Sequence, residues 1–250
     1  MDVTVLGTSA AWPSAGRAAA GFLVRHGDAA MALDLGTGAL SNLQLEVPHE
    51  RLDAVAITHR HVDHCLDLAS LTVARVFHPE PLPPLPYFAP IGVFDRVSAL
   101  ESADERRQME ALFDVHDLDG GDTFEVGPFR ITARELPHMV RNLGYRVEAG
   151  GTSLAYTGDA GPSKEIEVLA KDVNLLVSEA SWEDEDGILV EGHLTARQAA
   201  GHASEASAGA LLLTHFWPTV DRDRARELAA AVFDGDVLVA EERVTIRVGS

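Results

Sequence analysis

The chain has 250 residues, of which 46% are hydrophobic and 24% charged, a composition typical of folded proteins and unlike that of disordered ones. Acidic residues outnumber basic residues by 39 to 20, so the formal net charge is −19, which disfavours a large polyanionic partner because nucleic-acid binding depends mainly on lysine and arginine. One cysteine excludes a disulfide framework and fits a reducing compartment.

The first residues show neither the basic region nor the apolar region of a secretory signal. No apolar run approaches the roughly 18 residues of a membrane span. We therefore expect a cytoplasmic protein without membrane association. Nucleic acid is a disfavoured partner but is not excluded by charge alone.

Short apolar runs that end at Gly, Asp, His or Thr recur along the chain and predict strands. These runs are Val3–Leu6, Gly21–Val24, Met31–Leu33, Ala54–Ile57, Phe129–Ala133, Leu143–Val147, Ser153–Tyr156, Leu175–Val177, Ala210–Leu213, Val237–Val239 and Val244–Val248. The segment from Gly21 to Asp34 turns at Gly27 and predicts a hairpin. Hairpin-like pairs dominate the first half, and helix-linked strands dominate the second.

Helical patterns cover Leu66–Phe77, Thr195–Ala206, where Thr195 is a candidate N-cap, and Asp221–Phe233. The mixture of strands and helices favours stacked sheets with helices outside. The proline-rich segment Pro79–Pro90 could bind a partner domain as a polyproline helix. Because apolar residues continue on both sides, a stiff connection into a strand around Tyr87 is the favoured interpretation.

The segment Thr58–His64, Thr-His-Arg-His-Val-Asp-His, concentrates metal-binding side chains directly after a predicted strand. His59 and His61 are two residues apart and lie on the same side of an extended chain. If a helix begins at Asp63, all four metal-competent side chains converge on one space. Imidazole and carboxylate are ligands that Zn²⁺ accepts, so a metal site is favoured over a solvated polar loop.

Three further candidates each follow an apolar strand: His138, Asp159 and His215. A polar residue at a strand end is more often an ordinary loop residue, so each is weak evidence alone. Together they place metal-competent groups at one edge of a sheet system, where loops carry function.

Thr58–His64 resembles the His-x-His-x-Asp-His signature of the metallo-β-lactamase superfamily, and the three later residues occur in the family's order. The resemblance covers 1–250 as one domain and implies an α+β, four-layer αβ/βα sandwich of two mixed β-sheets flanked by helices. It also implies two zinc ions, with manganese or iron as alternatives. The implied ligands are His59, His61 and His138 for one ion, Asp63, His64 and His215 for the other, and Asp159 as the bridge.

Such a centre would carry a small net positive charge, which would attract a small anionic substrate. Two divalent cations bring four positive charges against three negative ones from Asp63, Asp159 and a bridging hydroxide. Bound metal lowers the pKa of water from about 15.7 towards about 7, which makes hydroxide available at neutral pH.

Two later segments, Ser178–Trp182 and Glu191–Ala196, resemble the Glu-Ala-[Ser/Thr] and His-x-Thr elements of ribonuclease Z-like phosphodiesterases. The resemblance implies that His193 protonates the departing alkoxide and that Glu179 orients it; with Asp63 they form the expected catalytic set. His193 could instead be a loop residue before the Thr195 cap. Asp34 resembles a family position whose side chain supports the metal ligands by hydrogen bonding without binding the metal. It could equally be only a turn-forming aspartate.

The sequence lacks the Gly-rich and basic arm of tRNA-processing members. The expected activity is therefore hydrolysis of a small anionic phosphodiester such as a cyclic nucleotide. The alternatives are a ribonuclease Z-type tRNA 3′ endonuclease, a thioester or lactam hydrolase, and a non-catalytic metal-binding scaffold. Resemblance to related phosphodiesterases also favours a homodimer.

Several other residues have open interpretations. The arginines Arg17, Arg60 and Arg141 could contact phosphate or could be solvated surface residues. The acidic segment 183–187 could be a lid, although a role in solubility is slightly favoured. Cys65 matches no ligand position and is expected to be a small buried residue.

Overall fold

The computed structural model describes residues 1–184 and 190–249 and contains two mixed β-sheets of seven strands each. Part of the acidic segment, residues 185–187, lies outside the described residues. Among the described residues, no helix has both the length and the apolar character needed to cross a membrane.

The first sheet runs antiparallel through its first strands and parallel through the later ones. Its strands are β1 (Asp2–Gly7), β2 (Gly21–His26), β3 (Ala29–Leu35), β4 (Ala54–Ala56), β5 (Leu85–Pro90), β6 (Phe113–Leu118) and β14 (Thr245–Arg247). They lie in the order β14-β1-β2-β3-β4-β5-β6. The β2–β3 hairpin is present as predicted, and the proline-rich segment leads into β5. The prediction that hairpins dominate the first half was wrong for β3 to β6, which are parallel.

The second sheet repeats this plan. Its strands are β7 (Thr123–Val126), β8 (Phe129–Leu136), β9 (Asn142–Ala149), β10 (Thr152–Tyr156), β11 (Leu175–Glu179), β12 (Ala210–Thr214) and β13 (Asp236–Val239), in the order β13-β12-β11-β10-β9-β8-β7. The strands β7 to β10 are antiparallel, and β10 to β13 are parallel.

Helices cover the outer faces of both sheets. They are α1 (Ala39–Glu46), α2 (Val62–Cys65), α3 (Asp67–Val76), α4 (Val93–Ser98), α5 (Ala103–Leu112), α6 (Lys164–Leu169), α7 (Ala196–Glu205) and α8 (Arg222–Ala230), with a 3-10 turn at His49–Arg51. Thr195 caps α7 as predicted, since its side chain accepts a hydrogen bond from the Gln198 amide.

Three apolar clusters hold the layers together. The central cluster lies between the sheets and includes Phe22, Phe129 and Tyr145, each buried. The other two lie between each sheet and its helices, around Leu43 in the first half and Phe216 in the second. This arrangement confirms the predicted α+β sandwich of two mixed sheets flanked by helices.

Candidate metal centre

The predicted ligands meet at one edge of the sandwich, where strands end. His59 follows β4, His61 is the N-cap of α2, His138 follows β8, Asp159 follows β10 and His215 directly follows β12. Parallel strands present their carboxyl ends at a common edge, so loops that are distant in sequence converge there.

Two glycines allow the close approach of these loops. A Cβ at Gly36, which follows β3, would lie 1.8 Å from the carbonyl oxygen of Asp63. Gly158 has a φ of 58°, and a Cβ there would lie 2.8 Å from the Thr58 side chain. A larger residue at either position would displace a loop that carries ligands.

The first set of side chains, which we call the three-histidine group, consists of His59, His61 and His138. His59 Nε2 lies 3.0 Å from His61 Nδ1, and His138 Nε2 lies 3.2 Å from the same atom. Asp159 Oδ2 lies 3.5 Å from His59 Nε2 and 3.8 Å from His138 Nε2. The ligand atoms of this group and Asp159 all lie within 4.8 Å of one another.

The second set, the mixed group, consists of Asp63, His64 and His215. His64 Nε2 lies 3.1 Å from His215 Nε2, and Asp63 Oδ2 lies 3.3 Å from His215 Nε2. Asp159 Oδ1 lies 3.1 Å from His64 Nε2 and 3.2 Å from His215 Nε2. All members of this group are buried.

Asp159 therefore faces the three-histidine group with one carboxylate oxygen and the mixed group with the other. Its Oδ1 is buried, yet it has no hydrogen-bond partner of acceptable geometry in the described part of the chain. A buried, unpartnered carboxylate oxygen among imidazole nitrogens is costly unless a cation lies between them. The donor set therefore fits a divalent metal.

Other residues fix the imidazole rings from behind. Asp34 Oδ2 accepts a hydrogen bond of 2.7 Å from His64 Nδ1, and the Gly192 carbonyl accepts one of 2.8 Å from His138 Nδ1. In each case Nδ1 donates to an oxygen, so Nε2 is the nitrogen that faces the site. His215 Nδ1 is held in the same way by Ser181 Oγ at 3.0 Å.

Asp34 is itself held at several points. It accepts hydrogen bonds from the Thr58 amide at 2.7 Å and from the Tyr156 hydroxyl at 2.7 Å. Asp34 and His215 both have left-handed φ angles, of 58° and 55°, which non-glycine residues seldom adopt. The sandwich thus holds residues of this edge in strained backbone conformations, as is common at functional sites.

The two groups differ in their electrostatics. Burial lowers the pKa of all three members of the three-histidine group. Burial also disfavours a charged His64, but the carboxylates of Asp159, Asp34 and Asp63 outweigh it and raise its pKa well above the usual value. Burial raises the pKa of Asp63, but His64 and His215 outweigh it and lower that pKa to about 2.

His193 and Glu179 form a pair beside the mixed group. His193 Nδ1 lies 3.1 Å from both Glu179 carboxylate oxygens and 4.0 Å from Asp159 Oδ2. Burial lowers the pKa of His193, but the Glu179 carboxylate and its hydrogen bond outweigh burial and raise that pKa to about 9. Glu179 also accepts a hydrogen bond from Ser181 Oγ, which links the pair to His215.

A cavity of about 290 Å³, which we call the metal-facing cavity, opens onto these residues. Its walls include Asp63, Asp159 and His193, together with Arg96 and Trp217, which the sequence analysis missed. Arg96 sits on α4, far along the chain from every motif, so only tertiary packing reveals its position.

The predicted phosphate-contacting arginines lie elsewhere. Arg17 pairs with Glu242, and Arg141 pairs with Asp119. Arg60 is exposed, and none of these arginines is among the residues that line the metal-facing cavity. Cys65 is buried as expected.

Comparison with known proteins places this geometry in a family. A model described as a beta-lactamase superfamily domain matches residues 33–216. The probable metallo-hydrolase YhfI of Bacillus subtilis is 32% identical over 246 residues, which cover 96% of this chain and 97% of that protein. Its crystal structure superposes with a TM-score of 0.88 at 30% identity and covers 98% of this chain and 99% of its own.

Ribonuclease Z of Mycolicibacterium gilvum is 29% identical over 280 residues, which cover 99% of this chain and 96% of that protein. The crystal structure of the short form of human tRNase Z superposes with a TM-score of 0.80 at 25% identity, over the full length of both chains. The chain therefore belongs to the β-lactamase superfamily and is a metallo-hydrolase of that family, related to ribonuclease Z.

Proposed function

We propose that the protein is a phosphodiesterase that uses two zinc ions, with manganese or iron as alternatives, to hydrolyse a small phosphodiester such as a cyclic nucleotide. The observation that carries this proposal is the His193–Glu179 pair, which lies beside the ligand cluster and of which His193 lines the metal-facing cavity. Hydrolysis of a phosphodiester benefits from an acid that protonates the departing oxygen.

The residues that would hold the cations are the three-histidine group on one side and the mixed group on the other, with Asp159 between them. When bound, the cations lower the pKa of water and stabilise negative charge on the phosphate. Because Asp34 and the Gly192 carbonyl accept hydrogen bonds from Nδ1 of His64 and His138, both rings are already turned with Nε2 towards the site.

His193 supplies the proton. Glu179 occupies its Nδ1, so Nε2 is the nitrogen left for the leaving oxygen of a substrate in the cavity. The carboxylate keeps the imidazole protonated near neutral pH and fixes the plane of the ring, which makes Glu179 a positioning residue. Ser181 Oγ donates a hydrogen bond of 2.6 Å to Glu179 Oε2 and so restricts rotation of the carboxylate.

Charge and cavity size favour a small substrate. The cavity of about 290 Å³ is close to the lower end of the range of roughly 300–1,000 Å³ that small-molecule sites occupy. A net charge of −19 opposes approach of a long polyanion.

The second candidate is tRNA 3′ endonuclease activity. The similarity to proteins named ribonuclease Z, which extends over nearly their whole length, favours it. The acidic charge of this chain and its lack of a basic arm count against it. A thioester or lactam hydrolase would use the same ligands but would have no need of His193.

The test compares substrates under one metal condition. Metal-loaded protein is assayed on bis-p-nitrophenyl phosphate, a panel of cyclic nucleotides, a tRNA precursor, nitrocefin and a thioester. We expect turnover of the diesters and negligible turnover of nitrocefin and thioester. Salt-sensitive tRNA cleavage that is faster than cyclic AMP hydrolysis would instead support the second candidate.

A variant tests the role of His193. His193→Ala should retain both metals and lose diesterase rate by about 10²–10⁴-fold, the usual contribution of a general acid. His202→Ala is the matched control, because His202 pairs with Glu167 at 3.3 Å on the outer helices, away from the site. Metal loss or unchanged activity in His193→Ala would contradict the assigned role.

A further inference from the structure

A second cavity of about 270 Å³, which we call the side pocket, adjoins the metal-facing cavity. The two cavities share two wall residues, Val62 at the start of α2 and Arg96 on α4. These two side chains therefore form the boundary between the cavities, so a group in the side pocket and a group near the ligand cluster can both contact Arg96.

The side pocket has apolar walls. Leu66, Val97 and Leu100 line it, and Val62 and Leu100 are 45% and 64% exposed. Cys65 also lines it, but burial raises the pKa of that thiol to about 12, and Sγ donates a hydrogen bond to the His61 carbonyl. The pocket therefore offers apolar contact and no reactive group.

Arg96 lies at the junction and is exposed. Across 1–184 and 190–249, no carboxylate forms an ion pair with its guanidinium, and no acceptor forms a hydrogen bond with it. In a chain with 39 acidic residues, an arginine that faces two cavities without a carboxylate partner is available for an anionic ligand. A guanidinium can also stack on an aromatic ring.

We propose that the side pocket is the subsite for the ester group of the substrate. When the esterified group is a nucleoside, its base packs on Val97 and Leu100, and Arg96 binds the phosphate that is esterified to the sugar. This inference rests on the proposed phosphodiesterase function and makes Arg96 and Leu100 determinants of substrate specificity.

The test measures binding of adenosine and AMP to the metal-loaded protein by calorimetry. Arg96→Gln should weaken AMP binding about tenfold, as expected for loss of a hydrogen bond to a charged group, and leave adenosine binding unchanged. Leu100→Glu should weaken both ligands several-fold, because it places a charge in the apolar pocket. Leu45→Glu, at an equally exposed leucine on α1, and Arg51→Gln, at an exposed arginine, are the matched controls.

Two results would overturn the inference. Either the Arg96 and Leu100 variants bind both ligands as the controls do, or Arg96→Gln weakens adenosine as much as AMP. Diester turnover, measured separately, distinguishes the two proposals. If no diester is hydrolysed but AMP binding depends on both residues, the proposed function fails, and the side pocket stands only as a nucleotide-binding site. If diesters are hydrolysed and the variants match the controls, the subsite fails alone.

Discussion

The two halves of the candidate metal centre contain the same number of side chains but differ in burial and charge. The three-histidine group contains no carboxylate of its own, and two of its members are only partly buried. The mixed group is wholly buried and contains Asp63, and Asp34 supports its His64 from behind.

The difference in burial and charge changes the pKa values of the histidines, and therefore the number of protons that each group binds without metal. The pKa values of His59, His61 and His138 are lowered, so these rings are neutral and ready to bind a cation. Without metal, the carboxylates of Asp159, Asp34 and Asp63 raise the pKa of His64 and favour a second proton on its Nε2, which a bound cation would displace. The same carboxylates attract a divalent cation, which carries twice the charge of the proton that it displaces. We therefore expect the mixed group to bind its metal more tightly than the three-histidine group does.

Removal of the Asp159 carboxylate, which both groups share, should abolish the difference in metal affinity between them. Asp159→Ala leaves each group one ligand short, so metal content should fall from two ions towards none. Activity should fall by more than the roughly 10²–10³-fold that loss of one charge-stabilising group costs. Elemental analysis after gel filtration measures the first effect, and diester turnover measures the second. A variant that keeps two ions would show that Asp159 is not a bridge.

Loss of the supporting carboxylate should weaken one group only. Asp34→Asn removes the charge behind His64, and metal affinity of the mixed group should fall about 10–100-fold. Competition with a chromophoric chelator measures this affinity. Asp53→Asn is the control, because Asp53 accepts a hydrogen bond of 2.8 Å from the Ala30 amide in the same sheet, remote from the ligands. Equal losses in the two variants would contradict a local role for Asp34.

Stepwise chelation should reveal the order of release. The three-histidine group should lose its ion first, with affinities about tenfold apart, which corresponds to about 1.4 kcal/mol. His138→Ala and His215→Ala each impair one group and identify the ion that leaves. His138→Ala should keep only the tightly bound ion. If it keeps only the weakly bound ion instead, the three-histidine group binds its metal more tightly, and the expected order of release is reversed.

The smallest expected effect is at Cys65, beside His64 in the chain. Cys65→Ala should leave metal content unchanged, because the thiol matches no ligand group, and should lower the free energy of unfolding by about 1 kcal/mol through lost packing. Thermal unfolding and elemental analysis measure both quantities. A loss of metal would make Cys65 part of the mixed group.

Apolar runs predicted most central strands, because buried strands are apolar on both faces. The strand β6 was not predicted, because its middle residues from Asp114 to Asp117 are exposed at the sheet edge and, apart from Val115, are polar. The helix α5, where Met109 is the only buried residue, was also not predicted, although the capping box of Ser102 and Glu105 was a usable signal.

The clustering of the candidate ligands could be predicted because each of them follows a strand or lies in one short motif. Ser181 fell inside a quoted motif, but its hydrogen bonds to Glu179 and His215 depend on how the loops pack. Arg96 carries no local signal, because its place beside the cavity follows from the position of α4 over the sheet edge. Tertiary contacts of single polar residues are therefore the features of the candidate site that sequence patterns do not predict.

The central claim is that the side chains at this sheet edge hold a pair of divalent cations. Anomalous diffraction from crystals of the metal-loaded protein, recorded on both sides of the zinc absorption edge, tests it most directly. The account predicts one peak within the three-histidine group, a second within the mixed group, and Asp159 between them. A single peak, or peaks away from these residues, would contradict it.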